Sequence, residues 1–151
     1  MHTLRGVNCN ILRKFAYLVN SGSNDITIAS VDPVTGTLAV LPARADTGNG
    51  PTSITLDAKG QFAYVTHSAT GNVAVFVVDA VTGALTLAST VSAGVNPVML
   101  TLSAAGEFAY VANFGSDNVS AFAVDRSTGA LTPTGQPVNA GNGPAWMTIV
   151  K

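Results

Sequence analysis

Charge is what this sequence has least of: 10% of its 151 residues are Asp, Glu, Lys or Arg, and the net charge is −1. An ordinary soluble domain carries roughly 25% charged residues. The seven basic residues form no cluster, so the chain lacks the positive footprint that nucleic acid or an anionic lipid surface requires, and neither partner is expected. Cysteine is nearly absent too. Cys9 stands alone, which excludes an intrachain disulfide and any zinc site of paired thiolates. With His2 and His67 the only histidines, no metal centre and no cofactor is expected. No stretch approaches the roughly 20 apolar residues of a membrane helix, and the opening MHTLRGVNCNILRK lacks the apolar run of a signal peptide. The cytoplasm is the default compartment.

What is present is repetition. The stretch EFAYVANFGSDNVSAFAVDRSTG, from Glu107 to Gly129, has two earlier versions: KFAYLVNSGSNDITIASVDPVTG from Lys14 to Gly36, and QFAYVTHSATGNVAVFVVDAVTG from Gln61 to Gly83. Tyr17, Tyr64 and Tyr110 recur at spacings of 47 and 46 residues, a period at which propeller blades and helical solenoids compete. The alternating Val, Ile, Phe, Tyr and Thr, broken by Gly, Asn and Asp, decide for strands. The fold class is all-β.

Residues 1–13 match no part of the repeat and are expected to form a tail, leaving 14–151 as the repeat domain. In each unit a strand bearing the tyrosine (B) runs through an Asn/Gly turn into a second (C), which ends in Asp-x-x-Thr-Gly at Asp32, Asp79 and Asp125. There the Asp side chain accepts turn N–H groups while Gly takes positive φ. A further strand (D), for the first unit about residues 37–43, leads through a Gly/Asn loop to Pro51, Pro97 or Pro144. A short apolar strand (A) follows each proline, at 53–56, 99–102 and 146–150. The order is therefore BCD-ABCD-ABCD-A: three four-stranded antiparallel blades of a β-propeller, with the first blade lacking the A strand that ends the chain.

The motifs FAYLVN, FAYVTH and FAYVAN, each followed by a strand ending in Asp-x-x-Thr-Gly-x-Leu, resemble the YVTN repeats of the lactonase-like β-propellers, which include bacterial 6-phosphogluconolactonase. The resemblance runs from about Lys14 onward. It implies a ring of about seven blades, of which three are here, and catalysis by Arg, His and Glu around the central channel. The A strands of this chain carry no such residue, so the resemblance transfers no catalytic side chain.

Strand alternation brings the B–C turns and D–A loops to one face of the ring, and the polar variety gathers there: Asn20, His67 and Asn113 ending the B strands, Asn72 in a turn, and Asn49, Asn96 and Asn142 in the loops. These are the ligand-binding candidates, although Asn also suits tight turns for reasons of backbone conformation alone. His67 stands apart because it replaces an Asn found in both other units, and an imidazole titrating near neutrality suits general-base work. Arg44, placed in the first D–A connection, is a candidate anchor for an anion or else a solvated loop residue. Trp146 is a candidate stacking surface or a packing residue between blades. Asp25, Asp46, Asp117 and Glu107 are the acids outside hairpin turns, and Glu107 falls on the opposite face. Asn118-Val119-Ser120 has the form of a glycosylation sequon.

This scarcity of ionisable groups favours a non-catalytic binding or scaffold propeller holding a small polar ligand. The alternatives are a lactone hydrolase acting on a sugar or aromatic lactone, and a fragment of a longer propeller, against which the offset strand order speaks. Three twisted blades do not close a ring, since rings take about four to eight. The chain is therefore expected to partner itself. A homodimer gives six blades and a trimer nine, with the strand at 146–150 crossing to complete the partner's first blade.

Overall fold

A computed structural model describes residues 14–150; the expected tail at 1–13, with His2 and Cys9, and Lys151 lie outside the described residues. Every regular element is a strand: β1 (Lys14–Asn20), β2 (Asp25–Val31), β3 (Leu38–Asp46), β4 (Pro51–Leu56), β5 (Phe62–His67), β6 (Asn72–Val78), β7 (Leu85–Ser92), β8 (Pro97–Leu102), β9 (Phe108–Asn113), β10 (Asn118–Val124), β11 (Leu131–Pro133) and β12 (Val138–Asn139). No helix among the described residues is long and apolar enough to cross a membrane. The strands form three antiparallel sheets: β1-β2-β3, β4-β5-β6-β7, and β8-β9-β10 with β11 and β12 both paired to β10. Register repeats from blade to blade, with Tyr17 opposite Ile28, Tyr64 opposite Val75 and Tyr110 opposite Ala121. These sheets are the B, C, D and A strands of the repeat.

Each C–D hairpin is closed by its aspartate. Asp32 Oδ1 accepts from the amides of Val34 at 2.8 Å and Thr35 at 3.0 Å, and Asp79 does the same for Val81 and Thr82 at the same distances. Asp125 accepts from Ser127 and Thr128. These amide donors hold all three carboxyls below the usual aspartate range, helped at Asp125 chiefly by the Ser127 hydroxyl. The closing glycines, Gly36, Gly83 and Gly129, have φ of 74°, 77° and 78°, a conformation that costs other residues strain.

Those glycines have a second use. Phe15 of the first blade lies so close to Gly83 that a Cβ there would sit 2.6 Å from its ring, and Phe62 stands in the same relation to Gly129, again at 2.6 Å. Tyr17 Oη adds a hydrogen bond to the Gly83 carbonyl at 2.8 Å. The FAY motif is thus the key of one blade and the hairpin glycine the lock of the next. Gly36 has no described residue within 4 Å of the same position.

The core sits between blades rather than within them. Strand β5 is buried at every position, and its period-2 alternation feeds two clusters. Phe62 and Tyr64 join Val75, Leu100, Val111 and Phe122 towards the third blade, whereas Ala63 and Val65 join Ile26, Ala45, Ala74 and Phe76 towards the first. Threonine hydroxyls tie neighbouring A strands, Thr55 to the Leu100 carbonyl at 2.8 Å and Thr52 to the Pro97 carbonyl at 3.0 Å.

Three expectations are corrected. Residues 146–150 form no strand: the open edge they were expected to complete, β1, belongs to the first blade, whereas they lie against the third, where the Met147 amide meets β8 at Met99 Sδ, 3.3 Å away. The last D strand is split into β11 and β12, since Pro133 and Pro137 lack the N–H that a ladder needs. Arg44 belongs to β3, opposite Thr27, and not to a loop.

Gly83→Ala and Gly36→Ala separate the two uses of the hairpin glycine. Both force alanine to positive φ, at a cost of about 1–2 kcal/mol, but only Gly83→Ala also drives a methyl into Phe15, adding about 1–3 kcal/mol. Urea denaturation of the two variants measures the difference. Equal losses would show that the ring–glycine contact contributes nothing to stability.

Candidate functional site on the loop face

The B–C turns and D–A loops do converge, and asparagine is what fastens them. Asn20 Nδ2 donates to Asp25 Oδ1 and to Thr27 Oγ1, both at 2.8 Å. Asn113 Nδ2 repeats this with Asn118 Oδ1 at 2.8 Å and Ser120 Oγ at 2.9 Å, and its Oδ1 accepts from the Gly94 amide at 3.0 Å. Both side chains are committed to holding a B strand, its turn and its C strand together, and Asn113 is fully buried in doing so.

The second blade breaks this staple at two points. His67 replaces the Asn, and Ala74 occupies the place of the Thr27 and Ser120 hydroxyls. The imidazole is 2% exposed, and neither Nδ1 nor Nε2 has a partner in hydrogen-bonding geometry. Burial lowers its pKa, against the smaller opposing influence of the nearby Thr47 backbone and Asn72 side chain. The ring is therefore neutral at physiological pH. It borders a cavity of about 170 Å³ lined by Thr47, Gly48, Asn49, Thr70, Asn72 and Thr90 among others. A neutral imidazole with unengaged nitrogens beside hydroxyl and amide groups can accept a proton or bind a polar ligand. Among the described residues no group of three His, Cys, Asp or Glu could hold a metal ion.

Of the sequence-predicted residues, the structure gathers Asn49, His67 and Asn72 around this cavity. Asn96, Asn142 and Trp146 do not line it; Asn96 turns the chain at φ 52°, its carbonyl accepting from the Phe114 amide, and Trp146 is 82% exposed. Arg44 pairs with Asp25 at 3.2 Å on the surface. Asp25 is held below the usual carboxylate range, first by Asn20, then by Ser23 and Arg44. Asp117 accepts from the Gly143 amide at 2.7 Å, so two of the acids considered free are engaged in structure. Sequence reading missed Ala74 and the threonines. Ala74 was detectable, because superposing the three C strands puts it in register with Thr27 and Ser120. A larger cavity, of about 520 Å³, opens on the opposite face and is lined by none of the predicted residues.

A family model described as "Lactonase, 7-bladed beta-propeller" matches residues 7–149. No curated protein sequence matches the chain. Similar solved structures include the periplasmic gluconolactonase of Pseudomonas aeruginosa, 28% identical over 89% of this chain and 40% of that one with a TM-score of 0.78. A candidate 6-phosphogluconolactonase of Bacteroides fragilis is 26% identical over 87% and 37%, TM-score 0.79. A protein of Lactobacillus plantarum is 27% identical over 87% and 40%, TM-score 0.78. The chain thus spans about two fifths of the length of these structures.

The buried imidazole makes stability depend on pH in a defined window. Its folded pKa lies below the value near 6.5 of an unfolded histidine, so above that value folding displaces no proton and stability is independent of pH through this group, and stability falls as pH drops below it. Denaturant midpoints measured between pH 7.5 and 5 should decline for the native sequence and flatten in His67→Asn. In a double-mutant cycle, His67→Asn with Ala74→Ser restores the staple, with a favourable coupling of about 1 kcal/mol. A flat pH profile for the native chain would mean that His67 is not desolvated.

Proposed function

The chain belongs to the lactonase seven-bladed β-propeller family, and from that premise we propose that it forms part of a lactone-hydrolysing ring whose substrate face is the loop face around His67. The observation that carries this reading is the buried imidazole, both nitrogens unengaged, in a polar-lined cavity where the D–A loop meets the B–C turn. Solved neighbours named as gluconolactonases point to the same substrate class. In the proposed chemistry, neutral His67 takes a proton from water as the water oxygen adds to the lactone carbonyl, and the ring C–O bond then breaks as the imidazolium returns that proton to the leaving ring oxygen, giving a hydroxy acid and neutral His67. Asn49, Asn72 and the threonine hydroxyls suit the hydroxyl groups of a sugar lactone.

The cavity is smaller than the roughly 300 Å³ at which ligand pockets begin, and the A strands PTSITL and PVMLTL carry no ionisable side chain. The remaining groups must therefore come from blades outside one copy of this chain. The two ends of the array are complementary for that purpose. Phe108, the key of the third blade, is 42% exposed, and no described residue occupies the Gly36 lock. In the proposed ring, Phe108 of one copy seats on Gly36 of a second, and two copies supply six blades. The low count of ionisable groups also supports a second reading, a binding module without turnover.

Hydrolysis of glucono-δ-lactone by the assembled protein tests the first reading. His67→Ala should lower kcat by about 100-fold or more, and native turnover should hold through the ordinary histidine range and fall only at lower pH, because burial lowers the pKa of the imidazole. Absent turnover with retained binding of the lactone would select the binding module.

Assembly is tested separately. Light scattering should report a multiple of the 15.3 kDa chain mass, and Phe108→Asp should return a folded monomer. A native chain that is itself a stable monomer would overturn the ring of copies.

A further inference from the structure

The larger cavity lies on the hairpin face, where the second and third blades meet, and its volume of about 520 Å³ falls within the roughly 300–1,000 Å³ of small-molecule sites. It is a place where one blade junction departs from the other. At the first junction the tyrosine hydroxyl is spent on the carbonyl of the next hairpin glycine, Tyr17 on Gly83. At the second, Tyr64 lines the cavity instead, and its hydroxyl is fully buried with no hydrogen-bond partner. Burial, with a smaller contribution from Asp57, pushes that phenol up to about 12, so it stays a neutral donor. An unpaired buried hydroxyl is costly, and here it stands at the wall of an open space.

The mouth of the cavity departs from the repeat in the same direction. Lys59 occupies the hairpin position that is Ala105 in the following blade, and Arg126 the position that is Pro33 and Ala80 in the preceding two. Both cations border the cavity and both are exposed. The acid beside them, Asp57, is occupied, its Oδ1 accepting from the amides of Gln61 at 2.7 Å and Phe62 at 2.9 Å. Phe62 and Val124 supply apolar wall. Drift would scatter such changes around the blades. Here two gained cations and one released hydroxyl converge on one cavity.

We propose that this cavity is a second ligand site, distinct from the loop-face site, for a small organic anion with a flat apolar body. The anionic head meets Lys59 and Arg126 at the mouth, the body lies on Phe62, and the Tyr64 hydroxyl donates to a polar atom of the ligand inside. Carboxylate and phosphate heads share this chemistry, so the test carries an arm for each. Calorimetric titration of the assembled protein with benzoate and with phenyl phosphate, beside inorganic phosphate and benzyl alcohol, should show binding of at least one aromatic anion and of neither control. Tyr64→Phe keeps the shape and removes the donor. It should weaken the bound anion by about tenfold while leaving the unliganded protein as stable as before or more so, a split that a purely structural hydroxyl would not give. Lys59→Ala with Arg126→Ala should weaken binding and flatten its salt dependence. If neither anion binds at millimolar concentration, or if binding is indifferent to both Tyr64→Phe and the double cation variant, the site does not exist.

Discussion

The contact on which the rest of this structure depends is that of a phenylalanine ring in one blade with a backbone glycine in the next. It asks two things of a single residue: positive φ to close the hairpin, and no side chain, so that the ring can lie on the backbone. Only glycine meets both. Burying an aromatic side chain is worth roughly 1.5–3 kcal/mol, and here that gain arises only if the neighbouring hairpin has closed correctly. Hairpin closure depends in turn on the aspartate that gathers its amides. Local turn chemistry and packing between blades are thus one cooperative unit. Because amide donors hold those aspartates below their ordinary range, the stabilisation they supply is complete above about pH 4, the unfolded aspartate value, and declines as pH falls through the lower folded values.

On the opposite face the constraint is polar. Asparagine at the end of a B strand satisfies groups that would otherwise be buried unpaired, and it does so through a turn residue and a hydroxyl on the C strand. Replacing the Asn alone would strand that hydroxyl. The second blade changes both members, His67 with Ala74, which removes the orphan and transfers the unsatisfied valence to the imidazole. A paired change of this kind conserves the fold while creating a group able to react. The proposed loop-face site is thereby fitted into the repeat without unravelling it.

Much of this architecture is legible in the sequence, because a period near 46 residues repeats every structural device three times. The C strand Asp25–Val31 and the aspartate–glycine hairpins follow from alternation and turn chemistry alone. The break in the last D strand was equally readable from Pro133 and Pro137, but the repeat pattern invited a continuous strand. Other features lie beyond any reading of spacing. Tyr17 is bonded while Tyr64 is not, although both stand in the same FAY motif. The pairing of Arg44 with Asp25 needs the β2–β3 register, which contains a bulge between Thr27 and Ala29. For the loop asparagines, turn geometry and ligand binding call for the same residue type, so spacing alone does not separate the two uses.

Among the described residues, the two buried side chains with unpartnered polar atoms, Tyr64 and His67, fall on one strand. Tyr64 and His67 are three residues apart on β5, so they point to opposite faces of the sheet, Tyr64 into the contact with the third blade and His67 towards the first. At about 3.3 Å per residue they are separated by roughly 10 Å along the strand, which puts one near the hairpin face and the other at the loop face. Strand β5 is paired along its length with β4 and β6 and is buried at each position. A ligand on one side therefore cannot shift it without disturbing two close-packed interfaces. Such a strand serves as a wall between the two proposed sites rather than a lever joining them, and substitutions at Tyr64 and His67 should add to within about 0.3–0.5 kcal/mol. The central blade can carry two specialised ends because its neighbours on either side hold it rigid.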